Sequence, residues 1–193
     1  MIVKICGITS TEDARAAVDA GATALGFNFW PRSPRHVTAE QAAGIVRTLP
    51  SGVWRVGVFV DEPAAAIEEL AGRVPLDIVQ LHGSCGMPRG LRVWKAVAAG
   101  DAVVASPEVE AFLVDAPAGG ERGGSGRTFD WKLAARLEVR VVLAGGLEAS
   151  NVAEAIAVAR PWGVDACSRL ESAPGRKDHA KVREFIAAAA VIG

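Results

Sequence analysis

Short apolar runs recur along this chain about every 24 residues, each followed by a stretch whose apolar residues are spaced for one face of a helix. Eight such runs are found: Ile2 to Cys6, Ala24 to Phe29, Trp54 to Val60, Asp77 to Leu81, Arg92 to Val97, Ala111 to Asp115, Arg140 to Leu143 and Gly163 to Cys167. Most are continuously apolar, which is the pattern of parallel strands covered by helices. The intervening segments carry helix signals. Ser10 with Asp13 and Thr38 with Gln41 read as capping boxes, and Pro63 suits a first helical position. Val152, Ala155, Ile156 and Ala159, then Val182, Phe185, Ile186 and Ala189, form apolar stripes. Residues 83–92 and 98–110 are broken by Gly83, Gly86, Pro88, Gly90, Gly100 and Pro107, so helices after strands 4 and 5 are expected to be short or missing.

Strand and helix in alternation predict an α/β fold with a parallel sheet. Eight units with no Pro/Gly/Ser linker predict closure into a single (βα)8 TIM barrel over residues 1–193. A doubly wound sheet is the rival. It normally needs fewer strands, and its dinucleotide-binding version wants GxGxxG after strand 1, where this chain has CGIT. The charge balance, 21 Lys and Arg against 22 Asp and Glu, argues against nucleic acid as a partner. No stretch approaches the roughly 18 apolar residues of a membrane span, and MIVKICGITS has no apolar segment of signal-peptide length. A cytoplasmic protein without a membrane partner is expected. The three cysteines, Cys6, Cys85 and Cys167, have no paired spacing, and His36, His82 and His179 are scattered. Neither a disulfide framework nor a metal site is suggested.

In a barrel, chemistry belongs to the C-terminal ends of the strands and the loops beyond them. Alternation along strand 1 turns Val3 and Ile5 toward the helices and Lys4 and Cys6 inward, where a cation beside a thiol favours the thiolate. A buried cysteine acting as a small hydrophobe is the other reading. Asp115 closes the run AFLVD, as a loop cap or as a working carboxylate. Cys6 and Asp115 together would supply one base and one acid. Glycine-rich turns lie after strand 6 (Gly123, Gly124, Ser125, Gly126), strand 7 (Gly145, Gly146) and strand 8 (Ser168 to Gly175). They are either ordinary turns or amide cradles for a phosphate. Arg35, in the loop after strand 2, suits a carboxylate or is a solvated loop residue. Gln80 and His82 end strand 4 at alternate positions, to contact substrate or to fill the mouth.

Taken together, several segments resemble the phosphoribosylanthranilate isomerase family of tryptophan biosynthesis. They are KICGIT at 4–9, ALGFNF with SPR at 24–35, VGVFV at 56–60, QLHG at 80–83 and FLVD at 112–115. GGSG with FDW at 123–131, LAGGL with NV at 143–152, GVD at 163–165 and PGRKD at 174–178 complete the series. The resemblance implies a (βα)8 fold, no cofactor and no metal, a small phosphosugar substrate, and an Amadori rearrangement with Cys6 as general base and Asp115 as general acid. It further implies substrate contacts from Lys4, Arg35, Gln80, His82 and Asp165, with Arg35 on the anthranilate carboxylate. Phosphate contacts would come from Gly124, Ser125, Gly126, Gly145, Gly146, Ser168 and Arg169. A monomer or a homodimer fits equally.

The chain departs from that pattern in two places. Cys167, Ser168 and Arg169 stand where the family usually has SSG, and Ser84 and Cys85 replace an acidic pair after QLHG. The second change is expected to shorten a surface helix. The first falls on the phosphate loop, where an Arg169 side chain is expected to swing to solvent with modest obstruction. Two other functions stand beside this one. The related histidine-pathway isomerase uses two aspartates and two symmetric phosphate sites, and a phosphosugar-binding barrel without turnover would retain only the loops.

Overall fold

A computed structural model of the chain describes residues 1–117 and 128–191. In chain order the barrel strands and helices are β1 (Ile2–Ile5), α1 (Thr11–Asp19), β2 (Ala24–Asn28), α2 (Ala39–Val46), β3 (Trp54–Val60) and α3 (Ala64–Arg73). There follow β4 (Ile78–His82), β5 (Val93–Ala98), β6 (Ala111–Asp115), α4 (Lys132–Ala135), β7 (Val141–Leu143), α5 (Val152–Ala159) and β8 (Gly163–Ala166). A 3-10 turn (Ser168–Leu170) and a small antiparallel hairpin, β9 (Glu171–Ala173) with β10 (Arg176–Lys177), lead into α6 (His179–Ala190).

The eight strands β1 to β8 close into a parallel barrel in sequence order. Every expected strand is present, within a residue or so of its expected ends. Among the described residues no helix joins β4 to β5 or β5 to β6. Both segments are too rich in Gly and Pro to hold a helical ladder. Cys85 instead pins the first of them as a turn, its sulfur donating to the His82 carbonyl at 3.2 Å and accepting the Glu62 amide at 3.3 Å.

Alternation along the strands divides the core in two. Residues facing the helices, among them Val3, Ile5, Leu25, Phe27, Val79 and Leu143, pack against the α1, α2, α5 and α6 stripes. Residues facing the barrel axis, including Ala24, Val56, Ile78, Trp94, Leu113 and Val142, fill the interior. Thr38 and Gln41 form the reciprocal capping box at the start of α2. The α1 box is only half made. Ser10 Oγ accepts the Asp13 amide at 3.1 Å, but the Asp13 carboxylate turns away to accept the Lys177 amide at 3.1 Å and to meet His179 Nε2 at 2.8 Å. That buried carboxylate ties the last elements of the chain to the first helix. Pro63 caps α3 from the residue before it rather than occupying its first turn.

Candidate active site

The C-terminal ends of the strands surround a cavity that spans about 880 Å³ up to and including its open mouth. Cys6 enters it from the end of β1, Asp115 from β6, Asp165 from β8, and Gln80 and His82 from β4. Arg35, Gly145, Gly146, Ser168 and Arg169 line it from the loops. Nine of the sequence candidates thus share one cavity with Cys6. Gly124, Ser125 and Gly126 lie outside the described residues.

Lys4 departs from expectation. It is fully buried and contributes nothing to the cavity wall. Lys4 and Asp165 are lateral partners in the β1–β8 register, and Lys4 Nζ donates to Asp165 Oδ1 at 2.8 Å. Burial works to lower the Lys4 pKa, but the charges of Asp165 and Cys6 outweigh it and hold Lys4 protonated. It therefore places a fixed positive charge beneath Cys6 instead of touching a ligand. Room for this arrangement comes from Gly26 on β2. A Cβ there would stand 2.7 Å from Cys6 Sγ and 3.0 Å from Lys4 Nζ.

Cys6 is buried at the cavity wall, directly beside charged groups. Its thiol is held below the ordinary range, first by a hydrogen bond from Cys167 and then by the Lys4 charge, against burial and the Asp165 carboxylate. Asp115 is biased the other way. Burial raises its pKa from 3.8 to about 6, with Asp165 adding to the rise, while the Ala116 amide at 2.7 Å and Lys4 oppose it.

Arg35 is not a solvated loop cation. Its Nε and Nη2 each donate to Glu171 at 2.8 Å, forming a fork between the loop after β2 and hairpin β9–β10. Burial works to raise the Glu171 pKa, but the bonds from Arg35 and the charge of Lys177 outweigh it and keep Glu171 ionised. Arg35 retains further N–H donors on its remaining edge. Gln80 Nε2 and His82 Nε2 are 2.8 Å apart, so one side chain orients the other at the cavity wall. Gly145 and Gly146 both have positive φ, 85° and 61°, in a turn that side chains rarely adopt. Asn151 fixes that turn by donating to the Gly146 carbonyl at 3.0 Å. Arg169 is exposed at the rim and does not have positive φ, so its position tolerates a side chain without backbone strain.

Sequence reasoning did not find Trp30, Glu171 or Lys177. Trp30 lies just beyond β2 on the cavity wall, and the inward alternation of Gly26 and Asn28 pointed to that strand end. Neither Glu171 nor Lys177 was singled out, because the significance of each depends on a remote contact, Glu171 with Arg35 and the Lys177 amide with Asp13.

Comparison with known proteins places this arrangement. The family model for N-(5'phosphoribosyl)anthranilate (PRA) isomerase matches residues 3–188. A curated N-(5'-phosphoribosyl)anthranilate isomerase from Solibacter usitatus is 53% identical over 196 aligned residues, covering 98% of this chain and 97% of that protein. The crystal structure of phosphoribosyl anthranilate isomerase from Thermus thermophilus superposes with a TM-score of 0.87 at 37% identity, covering 100% of both chains. A phosphoribosyl anthranilate isomerase solved in complex with reduced 1-(o-carboxyphenylamino)-1-deoxyribulose 5-phosphate superposes with a TM-score of 0.80 at 38% identity, covering 98% of this chain and 99% of that one. By matched length and identity, the chain belongs to the N-(5'-phosphoribosyl)anthranilate isomerase family.

Proposed function

We propose that the cavity carries out the Amadori rearrangement of N-(5'-phosphoribosyl)anthranilate to 1-(2-carboxyphenylamino)-1-deoxyribulose 5-phosphate, a step of tryptophan biosynthesis, with Asp115 as general acid and Cys6 as general base. The observation that carries the residue assignment is the opposite protonation bias of two groups three strands apart around one cavity. Asp115, its pKa raised by burial, gives its proton to the furanose ring oxygen. The bond from C1' to that oxygen breaks, and the anthranilate nitrogen supplies electrons to form an iminium. Cys6, favoured as thiolate, then removes the C2' proton, and the resulting enolamine tautomerises to the ketone. Two positioned proton-transfer groups suffice for this sequence.

The remaining contacts follow from charge. The free edge of the Arg35 guanidinium suits the anthranilate carboxylate, while its other edge is held by Glu171. The Gly145–Gly146 turn and the start of the 3-10 turn at Ser168 and Arg169 suit the phosphate, with Gln80, His82 and Asp165 against the ribose. Binding of both anionic ends would push Asp115 further toward its protonated form.

The decisive test is the loss of substrate fluorescence on adding purified protein. Cys6→Ala and Asp115→Asn should each reduce kcat by about 100-fold or more while circular dichroism remains unchanged. A Cys6→Ala variant with near wild-type kcat would remove the thiol from the mechanism.

A further inference from the structure

Cys167 sits across the β1–β8 seam from Cys6. The register of that seam pairs Lys4 with Asp165 and Ile5 with Ala166, and the Cys6 amide continues it by donating to the Ala166 carbonyl at 2.9 Å. The next lateral neighbours are therefore Cys6 and Cys167. Adjacent strands stand about 4.8 Å apart, which brings two sulfurs on the same face within hydrogen-bonding reach. Gly7, beside them, keeps the approach open, because a Cβ there would stand 3.0 Å from Cys167 Sγ.

The partners of Cys167 decide which way its proton points. Lys177 Nζ donates to the Cys167 carbonyl at 3.2 Å and approaches its sulfur at 3.7 Å. An ammonium only donates, so it meets a sulfur lone pair and leaves the S–H directed elsewhere. The second acceptor in reach, Glu171 Oε1, is 4.0 Å away and already takes Arg35 Nε at 2.8 Å and Lys177 Nζ at 2.9 Å.

We propose that Cys167 is a positioning residue for this reaction, donating its S–H across the seam to the Cys6 sulfur and thereby fixing that sulfur, as thiolate, at the cavity wall. The proposal rests on the reading of Cys6 as general base. The protonation biases agree with it: Cys6 is lowered first by the Cys167 bond, and Cys167 is raised by the same bond and by burial. The other charged groups facing the pair are Lys4 on β1, Asp165 on β8, Arg35 in the loop after β2, Glu171 on β9 and Lys177 on β10, with Asp115 on β6 lining the same cavity. All of these charges remain in a Cys167 variant, which removes the sulfur–sulfur bond together with the longer Sγ contacts to Lys177 and Glu171.

The test uses Cys167→Ala and Cys167→Ser in a Cys85→Ser background, which leaves Cys6 as the remaining thiol. Ultraviolet absorbance of the thiolate is titrated against pH, with Cys6→Ser as the blank, alongside the pH dependence of kcat/KM. Cys167→Ala should move the thiolate titration and the acid limb of kcat/KM upward together by about one pH unit, with KM unchanged on the plateau. Cys167→Ser, which keeps a donor, should restore both. Cys167→Val answers the same question if the alanine variant does not fold. An unmoved titration overturns the proposal, and with a raised KM it makes Cys167 a substrate contact instead. A titration that moves without the acid limb following upholds the hydrogen bond and removes Cys6 from the role of base.

Discussion

Asp115 is a carboxyl group placed where its charged form is penalised, and the penalty has a direction in pH. Its folded pKa is about 6 against an ordinary 3.8, so the folded state holds the proton more tightly than the unfolded chain. The resulting stabilisation is complete below the unfolded value and is lost as pH rises through about 6. Asp115→Asn, which keeps an oxygen for the Ala116 amide, should therefore be more stable than the wild type by about 1 to 3 kcal/mol near pH 8 and equal to it near pH 3. Urea titrations at the two pH values check this, and the gain should accompany loss of turnover, as expected when a strained site serves function. The same residue bounds activity. If Asp115 must be protonated and Cys6 ionised, kcat/KM should fall on both sides of a maximum, its basic limb beginning near pH 6. The basic limb of kcat should lie higher, because the bound phosphate and carboxylate raise Asp115 further. A basic limb at the same pH in both profiles would remove that substrate effect.

At the scale of elements, the cavity depends on a latch between two loops. Hairpin β9–β10 supplies Glu171 and Lys177, and the loop after β2 supplies Arg35, whose fork on Glu171 is largely shielded from solvent. Glu171→Gln keeps the shape but replaces one of the two acceptor oxygens with a donor, so the guanidinium loses its bidentate partner. We expect KM to rise roughly tenfold, equivalent to about 1.4 kcal/mol, with kcat nearly unchanged. Steady-state kinetics separates the two effects, and a fall in kcat alone would place Glu171 nearer the chemistry than its contacts indicate. The barrel strands were legible because each is an apolar run, and the missing helices because Gly and Pro interrupt their segments. The hairpin was not legible. ESAPGRK has neither alternation nor length, and its place against the barrel is held by the contacts of Glu171 with Arg35 and of the Lys177 amide with Asp13, which exist only after the barrel closes.

Across the whole molecule, stability and chemistry occupy opposite ends of the barrel. At the N-terminal ends of the strands, Trp54, Trp94 and Trp162 pack with ring centroids 5.8 to 6.2 Å apart. Arg92 lies 4.5 Å over Trp54 and Arg140 lies 5.2 Å over Trp162, while Glu110 pairs with both arginines. Trp94 is completely buried inside the barrel. Trp94→Ala should cost about 3 to 5 kcal/mol of unfolding free energy while leaving kcat of the folded fraction within about twofold of wild type. Denaturant titration and kinetics below the new transition check the separation, and a large fall in kcat would show that the two ends are coupled.

The sequence by itself determined the barrel, because the apolar period and the unit count are local properties that survive any ambiguity about packing. It also pointed to Cys6, Asp115, Gln80 and His82 as cavity residues, since alternation along a strand and a place at its C-terminal end are enough to aim them, while Asp165 came only from the family resemblance. Only the tertiary structure decided what those residues experience. Lys4 became a buried charge beneath the thiol because β8 brings Asp165 alongside it, 161 positions away in the chain. Asp13 abandoned its own helix cap for Lys177 and His179, and Arg35 acquired Glu171. Protonation and orientation depend on burial and on partners remote in sequence, and those exist only once the first and last strands have met.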